Sequence, residues 1–250
     1  MSEQSLLRVL VVGAGSGIGR AVAARYGRDG AQVALVGRSA DGLDRTASLI
    51  ADTPGVARAL VADVTDHDQL RRQIAAAVDW LGGLDVAINT AGVIGPKLPT
   101  AEIPHSAWET TLSTNLTGVF VAMQAEIAAM RSGGAIVNVA SNLGAHGRVP
   151  GLAAYVTSKA AVSALTRVAA LDHIADGIRI NAVSPGPIDT AMSIRPGESR
   201  DERDARIATT NPSGRVGSLD EVVDAIRYLA SPAAGYHVGT DLVLDGGATA

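Results

Sequence analysis

Short, almost wholly apolar runs alternate along the chain with longer stretches whose apolar residues recur at helical spacing. The apolar runs predict seven strands, at Arg8–Val12, Gln32–Val36, Ala57–Val61, Val86–Asn89, Ala135–Ala140, Arg179–Val183 and Asp241–Leu244. The longer stretches predict helices over 17–29, 40–51, 67–81, 106–130, 153–175 and 219–230. Strands that are apolar throughout are typical of parallel sheets covered on both faces. The pattern therefore predicts an α/β fold, a doubly wound parallel sheet of about seven strands with helices on both faces.

One interval interrupts this alternation. The residues between the strand at 179–183 and the helix at 219 are rich in Pro, Gly, Arg and acidic residues, and a connection this long is usually functional or mobile. We expect a single domain over residues 1–250 with a substrate lid near 188–215, containing a short helix near Glu198–Ala208. A disordered surface insertion is the alternative. Capping-box spacing predicts two helix starts, at Ser106 with Glu109 and at Ser218 with Glu221.

Composition narrows the classes of protein. A chain of 250 residues that is 47% hydrophobic can bury a full core. The net charge is −4 and the basic residues are scattered, so the electrostatic footprint of a nucleic-acid binder is missing. No apolar run approaches the roughly 20 residues that span a bilayer, and the first eight residues lack a signal-peptide core. We expect a cytoplasmic protein without nucleic-acid or membrane partners.

The residue types also argue against a metal centre. The chain has no cysteine, which excludes disulfides and thiolate ligands. Its five histidines show no metal-ligand spacing. We therefore expect no metal.

A glycine-rich turn follows the first predicted strand. Gly13, Gly17 and Gly19 are spaced G-x3-G-x-G, with Ser16 and Ile18 between them, and a helical stretch follows. Glycines at such a turn let the backbone approach a pyrophosphate, which is stabilised by the N-terminus of the next helix. In this strand–turn–helix context the loop indicates a dinucleotide site; a simple Gly-rich turn is the alternative.

The end of the second strand indicates which dinucleotide binds. An acidic residue there would accept from the ribose 2′-hydroxyl of NAD. This chain has Arg38 and Ser39 instead, and a guanidinium pairs well with a 2′-phosphate. NADP is favoured, with NAD as the alternative because Asp41 and Asp44 lie close by. A plain surface arginine is the other interpretation of Arg38.

Tyr155 and Lys159 are candidates for proton transfer. On a helix their four-residue spacing places both side chains on one face. An ammonium beside a phenol favours the phenolate and brings its pKa towards a range useful for general acid–base catalysis. Taken alone, a Y-x3-K pair is more often an exposed surface pair.

The ordered motifs together resemble the short-chain dehydrogenase/reductase family of the single-domain type, over roughly residues 7 to 247. They are Gly13-x3-Gly17-Ile18-Gly19, Asp63, Asn89-Thr90-Ala91-Gly92, Asn115, Ser141, Tyr155-x3-Lys159, Asn181-x3-Pro185-Gly186 and Asp245-Gly246-Gly247. The resemblance implies a Rossmann-type fold and hydride transfer between a nicotinamide cofactor and a secondary alcohol or ketone. It also implies a homotetramer.

The family's roles can be carried over by position. Tyr155 resembles its general acid or base, and Lys159 the residue that binds the nicotinamide ribose and lowers the tyrosine pKa. Ser141 resembles the hydroxyl that holds the substrate oxygen, and Asn115, in the long helix 106–130, the anchor of a relay water. Further cofactor contacts are implied for Asp63, Val64, Asn89, Ala91, Gly92, Pro185, Gly186, Ile188 and Thr190. Several have structural alternatives: Asn115 as a buried backbone partner, Ser141 as a turn residue, Asp63 as a strand-terminal cap and Asn89 as a sheet bracket.

Two positions depart from the family pattern. Val12 replaces a threonine before the first glycine, which removes a hydroxyl worth about 1 kcal/mol if it made a typical hydrogen bond, and puts loop rigidity in doubt. Ser16 stands where many NADP-preferring relatives carry a basic residue.

Substrate contacts are expected from 93–98, 142–148 and 190–210. Asn142 and His146 are the named candidates there, with a surface position the alternative for His146. The alternating Arg and acidic residues of the lid predict a solvated helix face rather than an anion clamp. A small ketone or alcohol is the expected substrate; a 3-oxoacyl-thioester reductase and a non-catalytic dinucleotide-sensing regulator are the alternatives.

Overall fold

The computed structural model describes residues 6–250, in which seven strands form one sheet. Their order is β3-β2-β1-β4-β5-β6-β7 and every neighbouring pair is parallel. The strands are β1 (Arg8–Val12), β2 (Gln32–Gly37), β3 (Val56–Val61), β4 (Val86–Asn89), β5 (Gly134–Val139), β6 (Ile178–Pro185) and β7 (Asp241–Leu244). The predicted parallel sheet is confirmed. β6 is longer than predicted because Ser184 and Pro185 pair with β7.

Helices cover both faces of the sheet, as predicted. They are α1 (Gly17–Arg28), α2 (Ala40–Ser48), α3 (His67–Leu81), α4 (His105–Leu112), α5 (Gly118–Ala129), α6 (Ala153–His173), α7 (Arg200–Thr210) and α8 (Leu219–Ala230). One core contains Val22, Leu43 and Ile226 from α1, α2 and α8. The other contains Ile74 and Val162 from α3 and α6. No helix of residues 6–250 is both long and apolar enough to cross a bilayer.

The single helix predicted over 106–130 is wrong. A π-helical turn, Ser113–Thr117, separates α4 from α5. There the N–H of Gly118 bonds to the carbonyl of Ser113, five residues earlier. A Cβ on Gly118 would lie 3.0 Å from the Cβ of Val64, so glycine favours this close approach. Such turns are frequent at functional sites, and Asn115 lies in this one.

Of the two predicted capping boxes, one is confirmed and one is wrong. The capping box of Ser218 and Glu221 is confirmed. The one predicted at Ser106 is wrong, since α4 begins at His105 after Pro104 and has no side-chain cap. Proline fixes its own φ near the helical value and favours an earlier start, which leaves Ser106 inside the first turn. An unpredicted box, Ser199 with Glu202, begins α7.

The strand order fixes where a ligand can bind. β1 lies between β2 and β4. The chain therefore passes from β1 to β2 on one side of β1, and returns from β3 to β4 on the other side. A crevice forms at such a switch point, beyond the carboxyl ends of the strands. The glycine loop, Asp63 and Ser141 follow β1, β3 and β5, so the fold gathers the predicted residues at this edge.

Candidate active site

Tyr155 and Lys159 both project from the N-terminal half of α6 towards the carboxyl end of β5. The Nζ of Lys159 donates to the carbonyl of Val139, the last residue of β5, at 2.7 Å. Ser141, two residues further on, lies beside the Tyr155 hydroxyl, and its own hydroxyl accepts from the N–H of Leu143 at 3.1 Å. Tyr155 and Lys159 are 9% and 4% exposed, so the pair is not a surface pair. The helix therefore presents both groups to the predicted cavity.

The pKa of Tyr155 moves in the direction opposite to the one expected. Burial raises it, and only the neighbouring Ser141 side chain opposes that shift. Burial also lowers the pKa of Lys159 to about 8, so its ammonium is itself destabilised. The expectation that Lys159 lowers the tyrosine pKa is thus wrong for the protein alone, in which the amine bonds to Val139. Tyr155 is protonated at neutral pH and is ready to donate.

Asn115 uses its amide to hold the backbone next to the site. Its Oδ1 accepts from the N–H of Val93 at 2.8 Å, and its Nδ2 donates to the carbonyl of Val93 at 2.9 Å. The second N–H of the amide goes to the hydroxyl of Ser158 at 3.0 Å, and Ser158 donates to the carbonyl of Tyr155. The side chain therefore has no donor left for water and acts as a buried backbone partner. Ser158, missed by the sequence analysis, links it to Tyr155.

Gly92 marks where the catalytic candidates meet. A Cβ at this position would lie 3.4 Å from the Oδ1 of Asn115 and 3.5 Å from the Nζ of Lys159. Residues from the connection after β4, the π-helical turn and α6 thus converge on one point. Ala91, beside it, is half-buried against the core.

The glycine loop fits a dinucleotide. Gly13 and Gly17 have φ of +92° and +50°, which side-chain-bearing residues rarely adopt. The caps of α2, α3, α7 and α8 include a side-chain acceptor, whereas Ser16, the N-cap of α1, makes no such bond. The first-turn N–H groups of α1, at Gly17, Ile18 and Gly19, are therefore available to a pyrophosphate.

The hydroxyl missing at Val12 is replaced by donors from elsewhere. Thr90 donates to the carbonyl of Val12 at 2.9 Å, and Thr46, on α2, donates to that of Ala14 at 2.8 Å. Arg20 bonds to the carbonyl of Gly15. Because neighbouring loop carbonyls are held from outside, the expected loss of rigidity does not follow.

The end of β2 leaves a cation exposed beside the glycine loop. Within residues 6–250 the Arg38 side chain makes no ion pair or hydrogen bond, and the Ser39 hydroxyl caps α2 by accepting from the N–H of Gly42 at 3.1 Å. Asp63 accepts from the N–H and hydroxyl of Thr65 at 2.9 and 2.8 Å. Those bonds first, and the charge of Arg38 last, hold the pKa of Asp63 below its usual range against the effect of burial. Val64 beside it is buried.

The side chain of Asn89 is turned into the core, in line with its alternative interpretation as a sheet bracket. Its Nδ2 donates to the Oε2 of Glu126 and to the Oδ1 of Asn138, both at 3.0 Å. Asn138 in turn donates to Thr166 at 2.9 Å. Burial raises the pKa of Glu126 to about 8, so this carboxyl is mostly protonated at pH 7. The polar chain links β4 and β5 to α5 and α6 below the site.

The two named substrate candidates, Asn142 and His146, contact β7 and the residue after it. His146 lies 3.0 Å from Asp241, measured from Nε2 to Oδ2, so it is not a free surface position. Asn142 donates to the Oδ2 of Asp245 at 3.3 Å. Both bonds tie the connection after β5 to β7 and its C-terminal extension. Asp241 could not be foreseen as the partner, since 95 residues separate it from His146.

The segment after β6 lies between the glycine loop and the predicted lid. Pro185 accepts from the N–H of Asn142 at 3.0 Å, and Gly186 donates to Leu244 at 2.8 Å. Ile188 is buried. The Cγ2 of Thr190 is 3.6 Å from where a Cβ of Gly17 would lie, so this segment covers the start of α1.

The lid helix α7 is not the solvated face that its charge pattern predicts. Arg203 is 2% exposed and donates to Asp189, Ser193 and Asp204. Arg206 makes a two-pronged ion pair with Glu198, at 2.6 and 2.8 Å. The alternating pattern includes two buried or half-buried arginines, whose partners, apart from Asp204 within α7, precede the helix in sequence.

The chain is similar to known proteins over nearly its whole length. A family model described as Enoyl-(Acyl carrier protein) reductase matches residues 13–249. Cis-4-hydroxycyclohexanecarboxylate dehydrogenase of Sinomonas cyclohexanicum is 41% identical, with 100% of both chains covered. Cyclohexanol dehydrogenase of an Acinetobacter strain is 33% identical, covering 96% of this chain and 94% of its own. An actinorhodin polyketide ketoreductase variant crystallised with NADPH superimposes with a TM-score of 0.92 at 34% identity, covering 100% and 99%.

The fold and the site define an NAD(P)-dependent oxidoreductase. The chain belongs to the short-chain dehydrogenase/reductase family, and the predicted resemblance is confirmed. Its named relatives are dehydrogenases and reductases of secondary alcohols and ketones, so the chain is an enzyme and not a regulator that has lost the reaction.

Proposed function

We propose that the protein interconverts a secondary alcohol on a six-membered carbon ring and the corresponding ketone, with NADP as the favoured cofactor. The observation that carries this proposal is the buried Tyr155, which lies beside Ser141 at the carboxyl end of β5 with Lys159 one helical turn away. A phenol and a hydroxyl converging on one point can hold a single substrate oxygen between them.

The bound nicotinamide dinucleotide supplies or accepts the hydride. In reduction Tyr155 donates its phenolic proton to the carbonyl oxygen, and Ser141 donates a hydrogen bond to the developing alkoxide. Because burial raises the tyrosine pKa, the proton donor is fully populated at neutral pH. In oxidation the same group must first lose its proton, so that direction is favoured as pH rises.

The ring-shaped substrate rests on the relatives. Two of them are named for a hydroxycyclohexanecarboxylate and for cyclohexanol. The expected substrate contacts include the apolar Val93, Ile94 and Leu98 after β4, and Leu143 after β5. Leu98 donates through its N–H to the carbonyl of Gly151 at 2.9 Å, which joins these two connections into one wall. Leu143 donates through its N–H to the hydroxyl of Ser141 at 3.1 Å, so this wall adjoins the polar pair, which suits a ring with one oxygen.

Arg38 supports the preference for NADP. It is exposed, carries no ion pair within residues 6–250 and follows β2, where the adenosine ribose is expected. A guanidinium can grip a phosphate through two parallel hydrogen bonds.

A second candidate is reduction of a 3-oxoacyl thioester. The matching family model is described by an acyl-carrier-protein substrate, and one similar structure is a polyketide ketoreductase. An acidic carrier protein would need a basic docking patch, and the sequence concentrates none.

A homotetramer remains our proposal for the assembly. Phe120 on α5 and Val168 and Leu171 on α6 are 44%, 59% and 73% exposed. Such apolar side chains on two helices are typical of surfaces that a second subunit covers. Light scattering on the purified protein would give four times the 25.4 kDa chain mass; a monomer would contradict this proposal.

The decisive experiment is a turnover assay at the absorbance band of the reduced nicotinamide. Cyclohexanone, a 4-oxocyclohexanecarboxylate and a 3-oxoacyl thioester are offered with NADPH and with NADH. We expect turnover on the cyclic ketones, faster with NADPH. Turnover on the thioester alone would favour the second candidate, and binding of NADPH without turnover on any substrate would refute the proposed reaction.

A further inference from the structure

Arg203 occupies an unusual position for an arginine in a surface helix. Its side chain is 2% exposed, although α7 lies in the lid segment, residues 188–215. Arginine is rarely buried unless its guanidinium is fully paired. Here all three nitrogens have partners: Nη2 donates to Asp189 at 2.9 Å, Nη1 to the hydroxyl of Ser193 at 2.7 Å and Nε to Asp204 at 2.7 Å.

Two of these partners, Asp189 and Ser193, lie on either side of Thr190. We call the hydrogen bonds of Arg203 with these two residues the bracket. Asp189 precedes Thr190, and the hydroxyl of Ser193 donates to the carbonyl of Thr190 at 2.8 Å. Thr190 covers Gly17 at the start of α1, with its Cγ2 3.6 Å from a Cβ built there. One buried guanidinium on α7 thus fixes the residues on both sides of Thr190, which faces the glycine loop.

Backbone hydrogen bonds also connect the bracket to the residues just before α8. The N–H of Asp189 bonds to the carbonyl of Gly217 at 2.9 Å, and the N–H of Gly217 bonds to that of Pro187 at 3.0 Å. These bonds hold the chain before Thr190. On the lid side it is held by the side chains of Ser193 and Arg203, and by Arg206, whose Nη2 donates to the carbonyl of Ser193 at 3.1 Å.

We propose that Arg203 is a positioning residue, which sets Thr190 over the cofactor site by holding Asp189 and Ser193 together. This inference rests on the proposed function, because it assumes that a nicotinamide dinucleotide binds at the glycine loop. Arg203 itself touches neither cofactor nor substrate; it acts through Thr190. It also makes the lid helix and the cofactor contact parts of one arrangement.

The chain offers controls matched in chemistry. Arg200 bonds to the same carboxylate, with Nη1 3.0 Å from Asp189 Oδ1, but it is 65% exposed and leaves Ser193 untouched. Ser199 caps α7 by accepting from the N–H of Glu202. Arg200→Gln and Ser199→Ala therefore disturb the carboxylate and the helix without removing the bracket.

The experiment measures the dissociation constant of NADPH by fluorescence titration and hydrogen exchange of segments 187–194 and 200–210. In the unaltered protein NADPH should slow exchange in both segments. Arg203→Gln and the milder Ser193→Ala should weaken NADPH binding by about tenfold or more and abolish the protection of 200–210. Arg203→Lys, which keeps the charge but not the fork, should restore only part of the affinity. The two controls should stay within about twofold.

The outcomes separate the two proposals. If the unaltered protein binds neither NADPH nor NADH, the proposed function fails and the bracket fails with it. If it binds NADPH, but Ser193→Ala and folded Arg203→Lys keep full affinity and protection, the bracket alone is overturned. Equal losses in Ser199→Ala and Ser193→Ala would likewise overturn it, because general loosening of the lid would then explain the effect.

Discussion

The carboxyl end of the sheet and the lid segment face the same site but are held by different forces. At the sheet the loop carbonyls accept from the neutral hydroxyls of Thr90 and Thr46, and buried amides such as Asn115 hold the backbone. In the lid segment the main contacts are ion pairs, as between Arg206 and Glu198. Neutral buried hydrogen bonds depend little on salt or mild pH change, whereas partly exposed ion pairs depend on both.

The pKa values of two glutamates, one in each region, are shifted in opposite directions. Glu126, fully buried below the sheet edge, has its pKa raised to about 8 by burial. Glu198 has its pKa lowered to about 2, first by its hydrogen bond with Arg206 and then by the N–H of Arg195. The first carboxyl favours the neutral form and the second the charged form. We therefore expect the contacts at the sheet edge to change little with salt and pH, and the ion pairs of the lid segment to change with both.

The largest effect is expected from Tyr155→Phe. Loss of the only proton donor at the substrate oxygen should lower kcat by about a thousandfold, since positioned acid catalysis contributes about 10²–10⁴. The dissociation constant of NADPH should change little, because the ring remains. Steady-state kinetics and fluorescence titration measure the two quantities. Tyr228→Phe, which alters a half-exposed tyrosine bonded to His237, is the control and should keep full activity. A Tyr155→Phe enzyme with most of its kcat would contradict the assignment.

Arg38→Asp should have the next largest effect, confined to the cofactor side. An acidic residue repels a 2′-phosphate and accepts from a 2′-hydroxyl, so the ratio of kcat/KM for NADPH over NADH should fall by about 10- to 100-fold. Arg45→Asp, an exposed substitution on α2, controls for charge. An unchanged ratio would show that Arg38 is a plain surface arginine.

Glu126→Gln tests, through the free energy of unfolding, whether the buried carboxyl below the sheet edge is neutral. The folded-state pKa of about 8 exceeds the ordinary 4.5, so the carboxyl contributes stability below about pH 4.5, and that contribution is lost as pH rises towards 8. The free energy of unfolding of the unaltered protein should fall over this range relative to Glu126→Gln, by on the order of a few kcal/mol.

Denaturant titrations at pH 5, 7 and 8.5 measure this difference. Glu109→Gln, on the exposed surface of α4, should leave the pH slope unaltered. Parallel curves for the unaltered protein and Glu126→Gln would mean that Glu126 is charged in the core.

Glu198→Gln should have the smallest effect, confined to the lid segment. Because the pKa of Glu198 is lowered to about 2, its contribution is present above about pH 4.5 and is lost as pH falls through 2. Glu198→Gln should therefore increase tryptic cleavage within 195–206 at pH 7, with the melting temperature nearly unchanged. Glu221→Gln removes a similar pair with Arg215 at the start of α8 and should not affect lid cleavage. Equal cleavage in both variants would deny the ion pair a specific role.

Particular residues show how far sequence reasoning reached. The glycine spacing and the Y-x3-K pair predicted the cofactor end and the catalytic helix, because both patterns follow from local backbone geometry. Asn115 and Asn89 were identified by position, but their hydrogen bonds were not. Their partners, Val93 and Glu126, belong to other elements. The π-helical turn left no trace in the apolar pattern, because one extra residue per turn barely alters the spacing over five residues.

The sequence by itself determined the strand–helix order, the parallel sheet and the edge at which the chemistry gathers, since apolar periodicity and glycine placement act over a few residues. Only the tertiary structure decided the protonation tendencies and the role of the lid charges. Burial of Tyr155 and Lys159 on α6 depends on β5 and the connection after it, and Arg203 is buried by residues outside its own helix. The cost of desolvating a charge depends on everything packed around it, which no local pattern contains.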